Sequence, residues 1–472
     1  MRRATLCLVA AAAIAAVAPG SLRAQGFQVN EHGTCVMGRA GTGVASPCKD
    51  ASSIFYNPAG MAVQNAGWTV AAGVTVIAAI GNFEADWSAQ ETKLANNPIP
   101  VPHLYGQYST GKWAVGLGAF VPYGLGTVWP DSFEGRFNGY DNDLRSIYIQ
   151  PSAAYKINEW VSVGAGVDIV VGSLELTQRV DISTVPIDGV DPANGMFGQV
   201  GIPYHTDIAN ADIKGTGATG IGGNIGIWLR PTPKLEIGAR YITRVKLDYE
   251  GTADFEQVQN GIILAPYNPI SLQNPALPDD QPLPLDALVA GSGLFDPGAT
   301  LSDQTVTTSI TMPDQITVGL AFAVSPTLKL MGEYQWVHWS LFETLEADFE
   351  FAPDLLLEEN YKNTSGFRFG LDWMASEKIN VRGGYLHHQG AAPDETVTPL
   401  LPEGDRNEFT AGLGIRLGRN WMVDLAYQFI NQDKRRGRVR EPFPGSSPTV
   451  ELNSGVYTFN AHLLAATVAV NF

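Results

Sequence analysis

The chain has 472 residues, of which 45% are hydrophobic and only 16% charged, with a formal net charge of −17. That acidity excludes a nucleic-acid partner, whose phosphates require basic patches, and solvated segments such as Asp279-Asp280 and Asp354 to Asn360 hold much of it. No stretch beyond the N-terminus is apolar for long enough to make a membrane-spanning helix, so the apolar side chains must alternate with small or polar ones.

Residues 1–24 read as a secretory signal peptide. Arg2 and Arg3 form its positive start, Leu6 to Ala18 its apolar core, and Leu22-Arg23-Ala24 a cleavage site before Gln25. Cys7 leaves with that segment, so the mature chain retains Cys35 and Cys48. Export to an oxidising compartment makes a Cys35–Cys48 disulfide one outcome and two buried free thiols the other, with geometry deciding between them. Residues 25–67 are rich in small residues but carry Phe27, Val29, Val36, Met37, Ile54, Phe55 and Met61. Those side chains need a surface to pack against, so the segment is expected to fold as a plug inside whatever residues 68–472 enclose.

From Trp68 onward the chain is punctuated by short turns at Ser109 to Lys112, Lys156 to Glu159, Arg230 to Lys234, Ser325 to Thr327, Ala375 to Lys378 and Gly418 to Asn420. Longer polar, proline-rich stretches alternate with them, roughly 81–101, 124–142, 178–217, 251–305, 340–364, 387–406 and 434–454. The pattern predicts an all-β transmembrane antiparallel barrel of about fourteen strands, with both chain ends on the short-turn side. Period-two alternation supports it. Leu235, Ile237, Ala239, Tyr241, Val245, Leu247 and Tyr249 are read as one face, and Glu236, Arg240, Arg244, Lys246 and Asp248 as the other. Phe367, Phe369, Leu371 and Trp373 oppose Arg368 and Asp372, while Trp421, Val423, Leu425, Tyr427 and Phe429 share a face. Charges that cannot meet lipid should face the lumen. Trp68, Trp113, Trp160, Trp228, Trp336 and Trp421 are expected in interfacial belts. The last strand, Gly455 to Phe472, aims Leu464, Ala466, Val468, Val470 and Phe472 one way and ends on an aromatic; it is expected to close on the strand from Trp68 to Gly81.

Across nearly the whole mature chain the sequence resembles the FadL/TodX family of outer-membrane transporters for hydrophobic compounds. The resemblance is carried by Gly26-Phe27-Gln28-Val29-Asn30-Glu31, Gly38-Arg39-Ala40, Asn57-Pro58-Ala59, Phe120-Val121-Pro122-Tyr123-Gly124-Leu125, Trp339-Ser340-Leu341-Phe342, Leu401-Pro402-Glu403-Gly404-Asp405-Arg406 and the terminal Phe472, in that order. It implies a fourteen-stranded barrel with an N-terminal hatch, passive uptake of long-chain fatty acids or aromatic hydrocarbons, and sideways release through a gap at the third strand. It further implies a monomer in the bacterial outer membrane, both termini periplasmic, assembled by machinery that reads the terminal aromatic.

By matching position, Phe120, Val121, Pro122, Tyr123 and Gly124 would border the gap. Pro122 cannot donate a ladder hydrogen bond and Gly124 permits a bend, although Pro122 ending the strand at its loop would also fit. Asn57, Pro58 and Ala59 would contact the gap from inside, or form an ordinary turn. Fatty-acid-importing relatives place basic residues where an ungapped comparison puts Ser173 and Glu346 here. Arg240, Arg244 and Lys246 would have to substitute as lumenal ligands, or else pair with Glu236 and Asp248; a neutral hydrocarbon cargo is therefore the alternative. The apolar run Ile262-Ile263-Leu264 marks a candidate capture loop. An outer-membrane lipid hydrolase is a rival reading through His387-His388, but adjacent residues on a strand point to opposite faces, which suits neither one metal nor one catalytic group. An open aqueous porin is the other rival. No cofactor or metal motif is present.

Overall fold

The structure, a computed structural model, describes residues 26–88, 91–181, 202–203, 206–273, 277–440, 442 and 446–472; the expected signal segment and part of the 178–217 stretch lie outside them. Fourteen antiparallel strands form a closed wall. In chain order they are β1 (Gly67–Ala85), β2 (Ile99–Ser109), β3 (Trp113–Val128), β4 (Asp141–Asn158), β5 (Val161–Val180) and β6 (Ala209–Thr232). Next come β7 (Leu235–Ile242, then Val245–Gln257), β8 (Gln304–Met312, then Gln315–Ala323), β9 (Leu328–Val337, then Thr344–Phe349) and β10 (Leu355–Glu358, then Thr364–Met374). The series ends with β11 (Ile379–His388), β12 (Arg406–Leu417), β13 (Trp421–Gln432) and β14 (Gly455–Asn471). β14 returns to β1 in register from Thr69↔Asn471 to Ala85↔Gly455. That closure leaves no free edge between the first strand and the last.

Alternation sorts the side chains. On β14, Leu464 and Val468 are exposed outside while Leu463, Ala465, Thr467 and Ala469 are buried within. Phe369 and Trp373 likewise face out, and Arg368 faces in. At the short-turn end Trp68, Trp113, Trp160 and Trp421 are all exposed. The Tyr108 ring lies 5.1 Å from Trp68 and 5.8 Å from Trp113, forming the aromatic belt expected at a bilayer surface. Trp228 does not join it. Ile225 and Ile227 take the outer face, so Trp228 points inward and its Nε1 donates to the Ala45 carbonyl at 2.8 Å.

The single alternating face read along Leu235 to Tyr249 is also corrected. β7 and β8 are both interrupted where Thr243-Arg244 lies beside Pro313-Asp314, between the pairs Ile242↔Gln315 and Val245↔Met312. Pro313 has no N–H to give the ladder, and across the break the faces exchange. Below it Arg240 is buried and Tyr241 exposed; above it Val245, Leu247 and Tyr249 are buried while Lys246 and Asp248 are exposed. Lys246 therefore stands on the outside, 60% exposed, bonded to Asp248 at 2.6 Å. Arg244 sits in the break, 52% exposed, 3.2 Å from Asp314. Of the three basic residues expected to point into the lumen, only Arg240 does.

Residues 26–66 occupy the lumen. They contain two short helices, α1 (Thr34–Met37) and α2 (Ser53–Tyr56), and a 3₁₀ turn, Pro58–Val63. Cys35 and Cys48 are joined by a disulfide. Charged wall residues hold the segment rather than facing open water. Arg39 lies 3.7 Å from Asp372, Arg382 bonds Asp372 at 3.2 Å, and Arg382 also pairs with Asp424. Such charges are tolerable inside a barrel because each has an opposite partner.

Asn57-Pro58-Ala59 seats against β5 and β6. The Asn57 amide donates to Val44 O (2.7 Å) and Ile227 O (3.0 Å), and its Oδ1 accepts from Ala59 N (3.1 Å). Ser162 Oγ donates to Ala59 O at 2.8 Å. A Cβ at Gly226 would overlap Asn57 Oδ1. Gly226→Val should therefore unseat this turn while leaving the outer face of β6 unchanged. The expected result is normal membrane insertion with raised ion conductance in planar bilayers; unchanged conductance would mean that the turn is not what closes the lumen.

Candidate functional site

The wall is incomplete between β2 and β3. Their ladder runs from Ser109↔Ala114 only to Leu104↔Ala119. β2 continues to Ile99 paired with β1 alone, up to Ile77↔Ile99. On its other side β3 bulges against β4, where Phe120↔Tyr148 is followed by Tyr123↔Ser146, so Val121 and Pro122 share one opposing residue. All five residues from Phe120 to Gly124 therefore lie on the segment of β3 that has left β2.

The N-terminal segment takes up the edge that this departure frees. Val29 N donates to Pro122 O at 2.9 Å and Gly124 N donates to Phe27 O at 3.0 Å, with Gln28 bridging Tyr123 in antiparallel sense. Aromatic contacts lock the pairing. Phe27 lies 4.7 Å from Trp339, 5.8 Å from Phe342 and 6.2 Å from Tyr123. The Tyr123 hydroxyl donates to Pro313 O at 2.8 Å and accepts from Gln315 Nε2 at 2.7 Å. The Trp339-Ser340-Leu341-Phe342 run is thus the seat of Phe27. It is Phe27 to Val29 that meet the gap from inside. Asn57, Pro58 and Ala59 pack instead against Gly164 and Gly226 on β5 and β6, where an added Cβ would overlap them.

Behind the break lies a cavity of about 520 Å³, within the range of small-molecule sites. Phe27 and Val29 bound it on one side, Ile99 and Val101 of β2 and Val121 and Leu125 of β3 at the opening, and Ile430, Phe459 and Leu463 on the far wall. The lining is mainly apolar, with Glu31, Glu403 and Arg406 among its charged members. Glu403 accepts the backbone amides of Gly26, Ala391 and Ala392. Glu31 accepts Asn30 N and Gln428 Nε2, both at 2.9 Å. Burial, and after it the Glu408 carboxylate, hold Glu31 above the usual carboxylate range.

Other sequence candidates lie elsewhere. Arg240 is consumed by structure: it donates to Phe55 O (3.1 Å), Gln315 Oε1 (3.1 Å) and Thr317 Oγ1 (3.4 Å) and covers the Phe55 ring. In the loop after β7, Leu264 is buried with Ile208, Leu285 and Val289, Ile262 packs against them, and Ile263 is exposed. Ser173 pairs with Arg145 and Thr216 across the sheet, and Glu346 is exposed. His388 is buried and accepts from Arg368 Nε at 3.2 Å, whereas His387 faces Asn407 at 3.1 Å, so the two point apart. The part of the site that sequence reasoning missed is the pairing of Phe27 to Val29 with β3. Its only local signal is the extended run Gln28-Val29-Asn30.

The family model for outer membrane protein transport proteins (OMPP1/FadL/TodX) matches residues 14–472. Outer membrane protein P1 of Haemophilus influenzae is 25% identical over 475 residues, 94% of each chain. The long-chain fatty acid transport protein of Escherichia coli K12 is 23% identical, covering 95% of this chain and 93% of that one. Among solved structures, a Pseudomonas aeruginosa FadL homologue superposes with a TM-score of 0.75 at 19% identity, covering 95% of this chain and all (100%) of its own. The Pseudomonas putida toluene transporter TodX gives 0.66 at 20% identity, covering 96% and 99%. These two likenesses speak for the fold.

If the Val29 amide holds the segment against β3, Val29→Pro should weaken that docking by about 1 kcal/mol, roughly fivefold. Faster amide exchange at Gly124, with β1–β14 protection unchanged, is the expected readout.

Proposed function

The chain belongs to the OMPP1/FadL/TodX family of outer-membrane transport proteins, and we propose that it takes up fatty acids or other hydrophobic molecules by passive diffusion and releases them sideways between β2 and β3. The observation that carries this reading is that one cavity borders both the lumenal segment and the residues of the wall break. An oily solute gains about 25 cal/mol for each Å² of apolar surface kept from water. A path from the cavity into the bilayer therefore avoids the cost of crossing the aqueous periplasm.

In this reading residues 26–66 act as a hatch, and withdrawal of Phe27 to Val29 from β3 widens the exit. Capture begins on the outer loops, where Ile263, Tyr267 and Leu272 are exposed above an apolar loop core. The protein works as a monomer with both termini periplasmic. A neutral hydrocarbon is the second reading of the cargo, favoured by the absence of a basic residue at Ser173 and Glu346.

Deleting Val121 removes the extra residue of the bulge and lets β3 pair regularly with β4. Uptake of a fluorescent fatty acid or a radiolabelled hydrocarbon by cells bearing that variant should fall to background, with surface expression maintained. Undiminished uptake would rule out lateral release here.

Phe472 is 70% exposed at the end of β14, where its amide donates to Trp68 O at 2.9 Å. We attribute its role to recognition by the assembly machinery. Its deletion should reduce the amount of heat-modifiable barrel in the membrane, while the molecules that do insert transport normally.

A further inference from the structure

At the short-turn end the mouth of the barrel is a concavity of about 720 Å³. Ser46, Pro47, Lys49 and Gln64 of the lumenal segment line it together with residues of the wall. Six of its side chains are basic, Lys49, Arg230, Lys329, Lys378, Arg416 and Arg419, against two acidic ones, Glu236 and Glu377. That balance is the reverse of the whole chain, whose formal net charge is −17. Lys329 donates to Glu236 at 2.8 Å and to Ser46 Oγ at 3.0 Å. Among the described residues no carboxylate forms an ion pair with the other five basic groups, and all five are exposed.

These groups come from separate elements. Arg230 stands near the end of β6, Lys378 in the turn between β10 and β11, Arg416 near the end of β12 and Arg419 in the turn that follows, while Lys49 belongs to the lumenal segment. Like charges gathered around one concavity repel one another and focus a positive field on it, so an anion that enters is held. A small anion meets one or two of them. A run of carboxylates along one chain meets several at once, and the contacts reinforce one another. Short turns join the strands on this side, which leaves the mouth open to a macromolecule.

We propose that the mouth is a docking site for an acidic polypeptide segment carried by a soluble partner on the short-turn side. Arg416 and Arg419 pair with its carboxylates at the rim. A carboxylate that reaches Lys329 competes with Ser46 for the ammonium, so the docked segment touches residues 26–66 as well as the wall. The inference is independent of the cargo and of the exit between β2 and β3.

The test titrates hexaglutamate into the purified full-length protein in phosphatidylcholine nanodiscs, by calorimetry at low salt. Overall charge repels a polyanion from this chain, so binding has to come from a local basic surface. The wild type should bind the peptide, and raising the salt from about 50 to about 200 mM should remove most of the affinity. Arg416→Gln combined with Arg419→Gln should weaken binding about fivefold. Lys434→Gln, at the long-loop end, should leave it unchanged. Bound peptide should also slow amide exchange at residues 46–49 and 63–66. Heat-modifiable migration confirms that each variant is a folded barrel. No binding by the wild type, binding that the double variant does not weaken, or amide exchange that the peptide leaves unchanged would each overturn the proposal. Equally tight binding of citrate would overturn it in favour of a small-anion site. Displacement of the peptide by an equal concentration of short-chain phosphatidylglycerol would assign the mouth to membrane lipid and overturn it too. Should the double variant not fold, the exchange pattern and the contrast with citrate in the wild type decide.

Discussion

Backbone amides have no water to bond with inside a bilayer, and each one left unpaired costs several kcal/mol. Most of this barrel meets that constraint by closure. One strand does not. From Phe120 onward β3 leaves β2, and its free edge is satisfied from within by Phe27 and Val29. The wall can be broken there only because the N-terminal segment is present to complete it. The break, the occupied lumen and the cavity between them are therefore one construction. Pro122 fits at the break because its carbonyl is used and its missing N–H is not needed.

The lumenal segment in turn depends on the wall. Polar and charged residues facing inward would be costly if unpaired, and many of them find partners on residues 26–66. Arg240 caps the Phe55 carbonyl, Trp228 reaches Ala45, Ser162 reaches Ala59, and Asp372 joins Arg39 to Arg382. The disulfide between Cys35 and Cys48 ties the two helix-bearing halves of the segment together. In contrast, Phe27 to Val29 precede that bridge and hold β3 mainly through two backbone bonds and the ring contacts of Phe27. The strength of attachment thus falls toward the residues that border the break.

Chemistry in the cavity follows from what its charged groups have left to bond. Acidic side chains that line it are used to hold the chain, while Arg406 is held loosely. The relatives include proteins described as fatty acid transporters and as toluene transporters, so the fold itself accommodates both kinds of cargo.

Much of the architecture was legible in the sequence. Strand number and the grouping of short turns against long loops followed from turn residues and period-two runs, as did the outward face of β14, because each of these is set within a few neighbouring residues. What failed was inference carried across an irregularity. Alternation along Leu235 to Tyr249 looked continuous, yet the break at Thr243-Arg244 exchanged the faces and put Lys246 outside. A break of that kind is imposed by the partner strand at Pro313-Asp314, which lies far away in sequence. Trp228 is expected in the belt from its place near a strand end, yet it bonds the lumenal segment. Asn57 to Ala59 suggested a turn, but only the packing against Gly164 and Gly226 decided which strands it met. The sequence alone determined that this chain is a fourteen-stranded barrel whose last strand closes on its first, since local pattern sets both strand and turn. Only the tertiary structure decided which residues fill the opening beside β3 and which side chains line the cavity behind it, because both depend on pairings between segments hundreds of residues apart.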